Sequence, residues 1–497
     1  MILDGTPALA AWARWRLAAI EALDPATAQR RVLRHLLLRA RDTRFGRAHG
    51  FDRIGDVAEF QAQVPLRRYE AFWEGWWHTD FPVLRDVTWP GRVPYFALSS
   101  GTTSGRTKRI PVTAAMMAAN RGAALDTLAW HLRHNPRSRP FAGRSFMLGG
   151  STALEALGPG VRAGDLSGIA AHEVPWALTP WAWPPERLAL MPDWDAKLAA
   201  LTAETPRADI RVLTGTPSWL LMLLDRMAPT GGAPMPKLEL LIHGGVAWPP
   251  YRDRIAPYLP PGCATREVYP ASEGFCAIAD RGDGEGLRLN LDRGVFFEFV
   301  PVEELERPNP TRHWAATIET GIDYAVVMTT CAGLFAYVIG DVVRFVDRAP
   351  PRLLVTGRTA WTLSAFGEHL AGHEIVAALA AACAATGARC GEWCCGPEFA
   401  GTLGRHRFLV EGDGDAEALA RALDAALAAA NEDYAAHRAG GQMLAPAVLL
   451  LAPGAFEAWM RASGKLGGQH KVPRIIADPV RFAEAAAMLS THARPGR

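Results

Sequence analysis

Leu98-Ser-Ser-Gly-Thr-Thr-Ser-Gly-Arg-Thr-Lys-Arg-Ile-Pro111 follows an apolar run, Val93-Pro-Tyr-Phe-Ala-Leu98, that reads as a buried strand running into a loop. Ser99, Ser100, Gly101, Thr102, Thr103 and Ser104 are all small or hydroxylated. Small residues let backbone N–H groups turn toward an anion, and Ser and Thr hydroxyls add donors. Lys108 supplies a positive charge beside a phosphate. The stretch therefore reads as a loop that holds a polyphosphate, while a plain Ser/Gly surface turn fits the same composition. It is not a P-loop. Arg106 and Thr107 separate the second glycine, Gly105, from the lysine, and Pro111 stops a helix from starting directly.

Outward from this loop, apolar runs that end in glycine turns alternate with helical patterns. Residues 8–24 and 28–41 have helical spacing, as do 113–134 and 185–204. An aromatic helix spans Tyr69 to Trp77. Arg144 to Gly150, Ile210 to Gly215 and Leu238 to Gly245 read as strands, with a helix started by Pro217 behind the second and another near 249–258 behind the third. Arg266 to Gly274 has the same strand-and-glycine form. The alternation predicts an α/β fold with mainly parallel sheets, whose ligands gather at strand carboxyl ends.

From Val295 to Val355 the pattern changes to short strands at 295–300, 324–330, 334–339, 342–346 and 352–356, a β subdomain. Beyond Gly357 helices near 372–386, 415–436 and 480–490 mix with strands near 405–411 and 446–452. These form a small α+β domain. The expected division is residues 1–357 and 358–497.

The chain has 497 residues, with 53 Lys plus Arg against 51 Asp plus Glu, so a net charge of +2 predicts no nucleic-acid partner. Arg14 and Arg16 interrupt the apolar residues that would form a signal peptide's core. The apolar run from Met443 to Phe456 carries Pro446 and Pro453 and reads as a buried strand, not a membrane span. Seven scattered cysteines read as reduced buried thiols of a cytoplasmic protein, Cys390, Cys394 and Cys395 included.

Three further polar clusters stand out. In Tyr269-Pro-Ala-Ser-Glu-Gly-Phe275 the Glu273 carboxylate sits in a turn where it could ligate phosphate-bound Mg2+; Ser272 capping a helix fits equally. In Tyr337-Val-Ile-Gly-Asp-Val-Val-Arg-Phe345, Asp341 could accept from two vicinal ribose hydroxyls, helped by Arg358, or form a Gly-Asp hairpin turn. In Ser463-Gly-Lys-Leu-Gly-Gly-Gln-His-Lys-Val-Pro-Arg474 a glycine-rich loop presents Lys465, Lys471 and Arg474, either as a cationic arm or as a solvated loop. Trp176, Trp181 and Trp183 read as packing or as the wall of an aromatic pocket, and His243 as a structural histidine.

Taken together, Ser99 to Gly105 with Lys108 and Ile110-Pro111, Tyr269-Pro-Ala-Ser-Glu273, Tyr337-Val-Ile-Gly-Asp341, Leu363-Ser-Ala-Phe-Gly-Glu368 and Gln469-His-Lys-Val-Pro-Arg474 resemble one family in order. It is the acyl acid–amido synthetases that conjugate plant hormones such as auxin and jasmonate to amino acids, within the acyl-adenylate-forming superfamily. Thr43-Arg-Phe-Gly-Arg-Ala-His-Gly-Phe51 is similar to the family's N-terminal pattern.

The resemblance implies an ATP-dependent ligase that adenylates a carboxylic acid and passes the acyl group to an amine. It implies that Ser99 to Ser104 cradle phosphates, Lys108 neutralises them, Glu273 binds Mg2+ and Tyr269 stacks near adenine. Ser272 joins the nucleotide-binding set, and Asp341 with Arg358 holds the ribose. Lys471 would ride on a mobile C-terminal domain, hinged near Gly357 to Thr359, and bridge carboxylate and α-phosphate. Thr359 departs from the acidic hinge residue of the wider superfamily, and Tyr269-Pro-Ala-Ser replaces the more usual Tyr-Xaa-Ser-Ser. A coenzyme A or carrier-thiol ligase and a nucleotide-binding protein without turnover are the rival expectations.

Overall fold

Asp24 accepts from the Thr27 N–H and Pro25 follows it, which starts a helix over Pro25–Ala40. Val32, Leu33, Leu36 and Leu37 bury one face of that helix. The same chemistry starts the long helix Ala114–His134, where Thr113 Oγ1 accepts from the Met116 N–H at 3.1 Å and donates to the Cys331 carbonyl at 2.6 Å. Such local signals explain why most element positions were readable. The computed structural model describes residues 3–99, 108–149, 154–246, 248–359, 362–363, 370–400, 403–439, 443–463 and 472–494.

In chain order the strands begin with β1 (Tyr95–Ser99), β2 (Lys108–Val112), β3 (Arg144–Leu148), β4 (Glu155–Gly158), β5 (Val161–Gly164) and β6 (Ala182–Trp183). Next come β7 (Ile210–Gly215), β8 (Leu240–Gly244), β9 (Ala264–Ala271), β10 (Gly274–Ile278) and β11 (Leu287–Leu289). They continue with β12 (Val295–Pro301), β13 (His313–Trp314), β14 (Asp323–Thr330), β15 (Tyr337–Arg348) and β16 (Pro351–Arg358). After these lie β17 (Thr362–Leu363), β18 (Leu370–Ala371), β19 (Arg389–Ala400), β20 (Leu403–Asp413) and β21 (Ala447–Leu451).

One 12-stranded sheet has the order β13-β12-β14-β15-β16-β11-β10-β9-β8-β7-β3-β6. Pairing from β9 through β8, β7 and β3 to β6 is parallel, because helices such as Pro217–Met227 and Pro249–Ile255 carry the chain back between strands. From β9 outward the pairing is antiparallel. The expected β subdomain is thus the antiparallel half of a mixed sheet, continuous with the parallel half through the β9–β10 hairpin. A second sheet, β2-β1-β5-β4, carries the opening loop's flanks.

The C-terminal domain has its own sheet, β19-β20-β21, and its own apolar clusters, built from residues such as Leu363, Ile375, Phe408, Leu423, Leu451 and Phe482. The run from Met443 to Phe456 contains the strand β21, of which Leu450 and Leu451 are buried. Among the described residues no helix is long and apolar enough to cross a membrane.

Several expectations need correction. Strands 334–339 and 342–346 are one strand, β15, and helix 185–204 is broken around Pro192, restarting where Asp193 caps Trp194–Glu204. The helix expected over 415–436 stops at Asn431, whose side chain accepts from the Tyr434 N–H at 2.8 Å and starts a second helix, Glu432–Ala439. The long strand β19 was not expected, since Gly391, Gly396 and Pro397 interrupt its pattern. The cysteine reading fails at Cys390, which is disulfide-bonded to Cys383, while Cys394 and Cys395 are free and buried. Trp176 is 87% exposed and Trp183 buried, so these side chains do not wall one pocket.

Buried polar groups lock the layers together. Asp126, on the helix Ala114–His134, receives Arg16 at 2.8 Å and Arg293 at 2.6 Å, and Arg16 also reaches Asp292 at 2.7 Å. The same helix buries His131, whose Nε2 lies 2.7 Å from Ser138 Oγ. Burial pushes His131 down to about 4 from an ordinary value of 6.5. Below the ordinary value the unfolded chain takes up the proton first, so stability falls as pH falls through this window. We expect His131→Gln to lose about 2 kcal/mol less stability than the parent between pH 7 and pH 5, read by urea unfolding.

Candidate functional site

Gly340 decides where Asp341 points. Its φ of +93° is a conformation that side-chained residues avoid. The β14–β15 register shifts here, from Val327 opposite Val338 to Ala325 opposite Val342. This bulge inside one continuous strand replaces the Gly-Asp hairpin turn that the sequence allowed. Thr359 N–H donates to the Gly340 carbonyl at 2.8 Å, which holds the bulge against the end of the adjoining strand.

Asp341 is paired across the sheet with Arg358, whose Nε lies 2.9 Å from Oδ1. Its other oxygen accepts from Tyr269 Oη at 2.6 Å. The carboxylate is therefore held by one group from β9 and one from β16. Each carboxylate oxygen keeps acceptor capacity beyond these bonds. Tyr269 is buried, and burial together with the Asp341 charge keeps its phenol protonated.

Ser272 and Glu273 are the two residues of a tight hairpin, flanked by the Ala271–Gly274 pair, so no helix follows for Ser272 to cap. A Cβ at Gly274 would lie 3.0 Å from Val295 Cγ2 and 3.1 Å from Met328 Cε, and this close packing seats the turn against the sheet. Glu273 is 7% exposed. Burial raises its carboxyl pKa, Lys108 pulls it down, and Asp341 raises it again, with Arg358 as a further lowering charge.

Lys108 opens β2 directly across from Ser99 at the end of β1, so the loop between them is the connection of a β-hairpin. Its Nζ lies 5.9 Å from the centre of the Tyr69 ring. Tyr69 Oη accepts from the Arg109 N–H at 3.0 Å and fixes the start of β2. Sequence reasoning placed Tyr69 at the start of an aromatic helix and gave it no role. The signal available was its place opposite the lysine strand, which only the fold reveals. Tyr337 is fully buried, with no hydrogen-bond partner for its hydroxyl among the described residues, and lies in the field of Glu273.

Lys108, Tyr269, Glu273, Asp341 and Arg358 thus converge, although they come from separate motifs. Ser100, Gly101, Thr102, Thr103, Ser104 and Lys471 lie outside the described residues. His243 is buried, stacked on Trp248 at 3.8 Å and 3.2 Å from Asp283, as a structural histidine would be. Among the described residues no group of three or more metal-ligating side chains occurs. A lone carboxylate such as Glu273 still fits magnesium, which commonly takes one or two carboxylates and shares the rest of its shell with phosphates and water.

We expect Gly340→Ala to cost about 1 kcal/mol of stability, read by thermal melts.

Comparisons with known proteins bear on the family and the fold. GH3 family models match the chain at residues 19–214 (N-terminal domain), 289–358 (central domain) and 373–480 (C-terminal domain). No curated protein matches it significantly. Among solved structures it is similar to AtGH3.15 acyl acid amido synthetase in complex with 2,4-DB, with a TM-score of 0.80 and 15% identity over 97% of this chain and 96% of that one. It is also similar to a 2-hydroxyisobutyryl-CoA ligase in the postadenylation state, with a TM-score of 0.58 and 16% identity over 93% and 91% of the two chains. At these identities the likeness is one of fold.

Proposed function

Since the chain belongs to the GH3 family, we propose that it is an ATP-dependent acyl acid amido synthetase. It activates a carboxylic acid as an acyl-adenylate and transfers the acyl group to an amine, an amino acid by preference. The observation that carries the reading is the convergence of Lys108, Tyr269, Glu273, Asp341 and Arg358 in one electrostatic neighbourhood.

In the first step a carboxylate oxygen attacks the α-phosphorus of ATP and pyrophosphate leaves. In the second the amine attacks the activated carbonyl, AMP leaves, and the amine gives up a proton. Lys108 neutralises phosphate charge beside the Ser99 to Ser104 loop. Asp341, steadied by Tyr269 and Arg358, accepts from the ribose hydroxyls, and Tyr269 with Ser272 borders the nucleotide. Glu273 would hold Mg2+, which when bound would supply charge neutralisation at the phosphates. Lys471 bridges the carboxylate and the α-phosphate. The chain's own contribution is positioning and charge stabilisation.

The division at residues 357 and 358 separates a large nucleotide-binding domain from a small lid domain, which turns between the two half-reactions. Separate apolar clusters on the two sides support this division. The expected compartment is the cytoplasm, where ATP is supplied.

A pyrophosphate-exchange screen over aryl, indolyl and fatty acids tests the reading, and exchange with none of them would overturn it. Amino acids rather than coenzyme A should drive AMP release. Lys471→Ala should retain ATP binding and lose most exchange; near-parental exchange would remove that lysine from the mechanism. Glu273→Gln should weaken the magnesium dependence of turnover, and an unchanged dependence would count against a ligand role.

A further inference from the structure

The cation and the carboxylates of the site come from different sheets. Lys108 opens β2 in the four-stranded sheet. Glu273, between β9 and β10, and Asp341, on β15, belong to the 12-stranded sheet. The hydrogen bonds within either sheet do not fix the distance between the two.

Tyr69 spans that gap. It begins the helix Tyr69–Phe72 and is 8% exposed. Two residues earlier, Arg67 pairs with β15: its N–H donates to the Ala336 carbonyl at 3.0 Å, and its carbonyl accepts from the Val338 N–H at 2.9 Å. Asp341 lies three residues beyond Val338 on the same strand. On the other side, Tyr69 Oη accepts from the Arg109 N–H at 3.0 Å, and its ring centre lies 5.9 Å from Lys108 Nζ. The ring is itself held, stacked on Trp73 at 6.0 Å and edge-on to Trp77 at 6.1 Å. The backbone beside Tyr69 is thus tied to the carboxylate sheet, and its side chain to the strand that carries the cation.

Packing alone requires a buried ring here. It does not require the hydroxyl and the ring face to meet two successive residues at the start of β2. Burial raises the pKa of the phenol, so Tyr69 stays neutral and leaves the lysine its charge. A ring face attracts an ammonium without taking up its N–H donors as a carboxylate would. Lys108 is therefore held in place with donors and charge still available to a phosphate.

We propose that Tyr69 is a positioning residue for Lys108, a strut that sets the ammonium's place relative to Glu273 and Asp341 by holding both the lysine and the first turn of backbone after it. This rests on the amide-synthetase reading, in which Lys108 faces the phosphates of ATP. Preorganising the lysine in this way lowers the cost of ordering it when the nucleotide binds.

The test uses the full-length protein as parent, Tyr69→Phe, Tyr69→Leu, Lys108→Met and the double variants, with ATP affinity in magnesium read by calorimetry. Tyr69→Phe loses the acceptor for the Arg109 N–H and should weaken binding about threefold. Tyr69→Leu also loses the ring and should weaken it about tenfold. In the Lys108→Met background neither change should weaken binding further, since both act through the lysine. The contact is also read without nucleotide. Lys108, Lys197, Lys237, Lys465 and Lys471 are the lysines of the chain, so isotope-labelled reductive methylation, which keeps their charge, gives few NMR signals. The Lys108 signal, identified by its loss in Lys108→Arg, should be displaced by the ring in the parent and in Tyr69→Phe, and should return to the solvated position in Tyr69→Leu. An undisplaced signal in the parent, no loss of affinity in Tyr69→Leu, or the same loss with and without Lys108 would each overturn the strut and leave Tyr69 as packing. Should Tyr69→Leu fail to fold, Tyr69→Phe carries the same cycle. A parent that binds no ATP defeats the functional reading instead, and the Lys108 signal then decides the contact: displacement in the parent upholds it, and a solvated position removes it.

Discussion

The Asp341 carboxylate is held from two directions, by the Tyr269 hydroxyl at 2.6 Å and by the Arg358 guanidinium at 2.9 Å. These partners come from β9, the strand where parallel pairing ends, and β16, deep in the antiparallel half. The one contact therefore ties the two halves of the large sheet together at their shared working edge. A shielded carboxylate needs such partners, because leaving it without them would cost several times a surface pair's worth. The bulge at Gly340 exists to aim it.

Around that carboxylate, charge is balanced over a short range. Glu273 sits in a two-residue turn pressed against the sheet, where burial disfavours its ionised form and Lys108 favours it. Lys108 is placed by a different sheet, whose β1–β2 hairpin starts opposite Tyr69. Opposed charges at the mouth of a parallel sheet, beside a Ser/Gly/Thr loop, suit a nucleotide whose phosphates need cations and whose sugar needs an acceptor. Membership of the GH3 family makes acyl activation the natural chemistry for that arrangement.

Under the proposed function the C-terminal domain docks on the large domain and leaves it between the two half-reactions. Its apolar clusters are self-contained, so it can move as a unit. Among the described residues, Glu392 reaches Tyr251 and Arg461 reaches Asp195 across to the large domain. Polar domain contacts are readily exchanged, as a two-step reaction with different needs at each step requires.

Much of this was legible in the chain itself. Helix starts were readable because Asp24, Thr113 and Asp478 satisfy the first free N–H groups locally. Strand positions around 210–215 and 295–300 followed from runs of apolar residues bounded by glycine and proline. Lys108, Glu273, Asp341 and Arg358 were marked by residue type and turn context. What the sequence left open was every choice between a local use and a distant partner. Ser272 and Glu273 could have begun a helix, and Gly340-Asp341 could have closed a hairpin. The choice depended on which neighbouring strands pair with each stretch. Pairing of β10 on β9 made the first a tight turn, and the continuous β15 between β14 and β16 made the second a bulge. The same holds for Cys390 and for β19, whose interrupted pattern becomes a strand because β20 supplies its hydrogen bonds. Local patterns determined where elements begin and which residues carry charge; the tertiary structure decided which of those charges meet, because sheet register is set by long-range pairing.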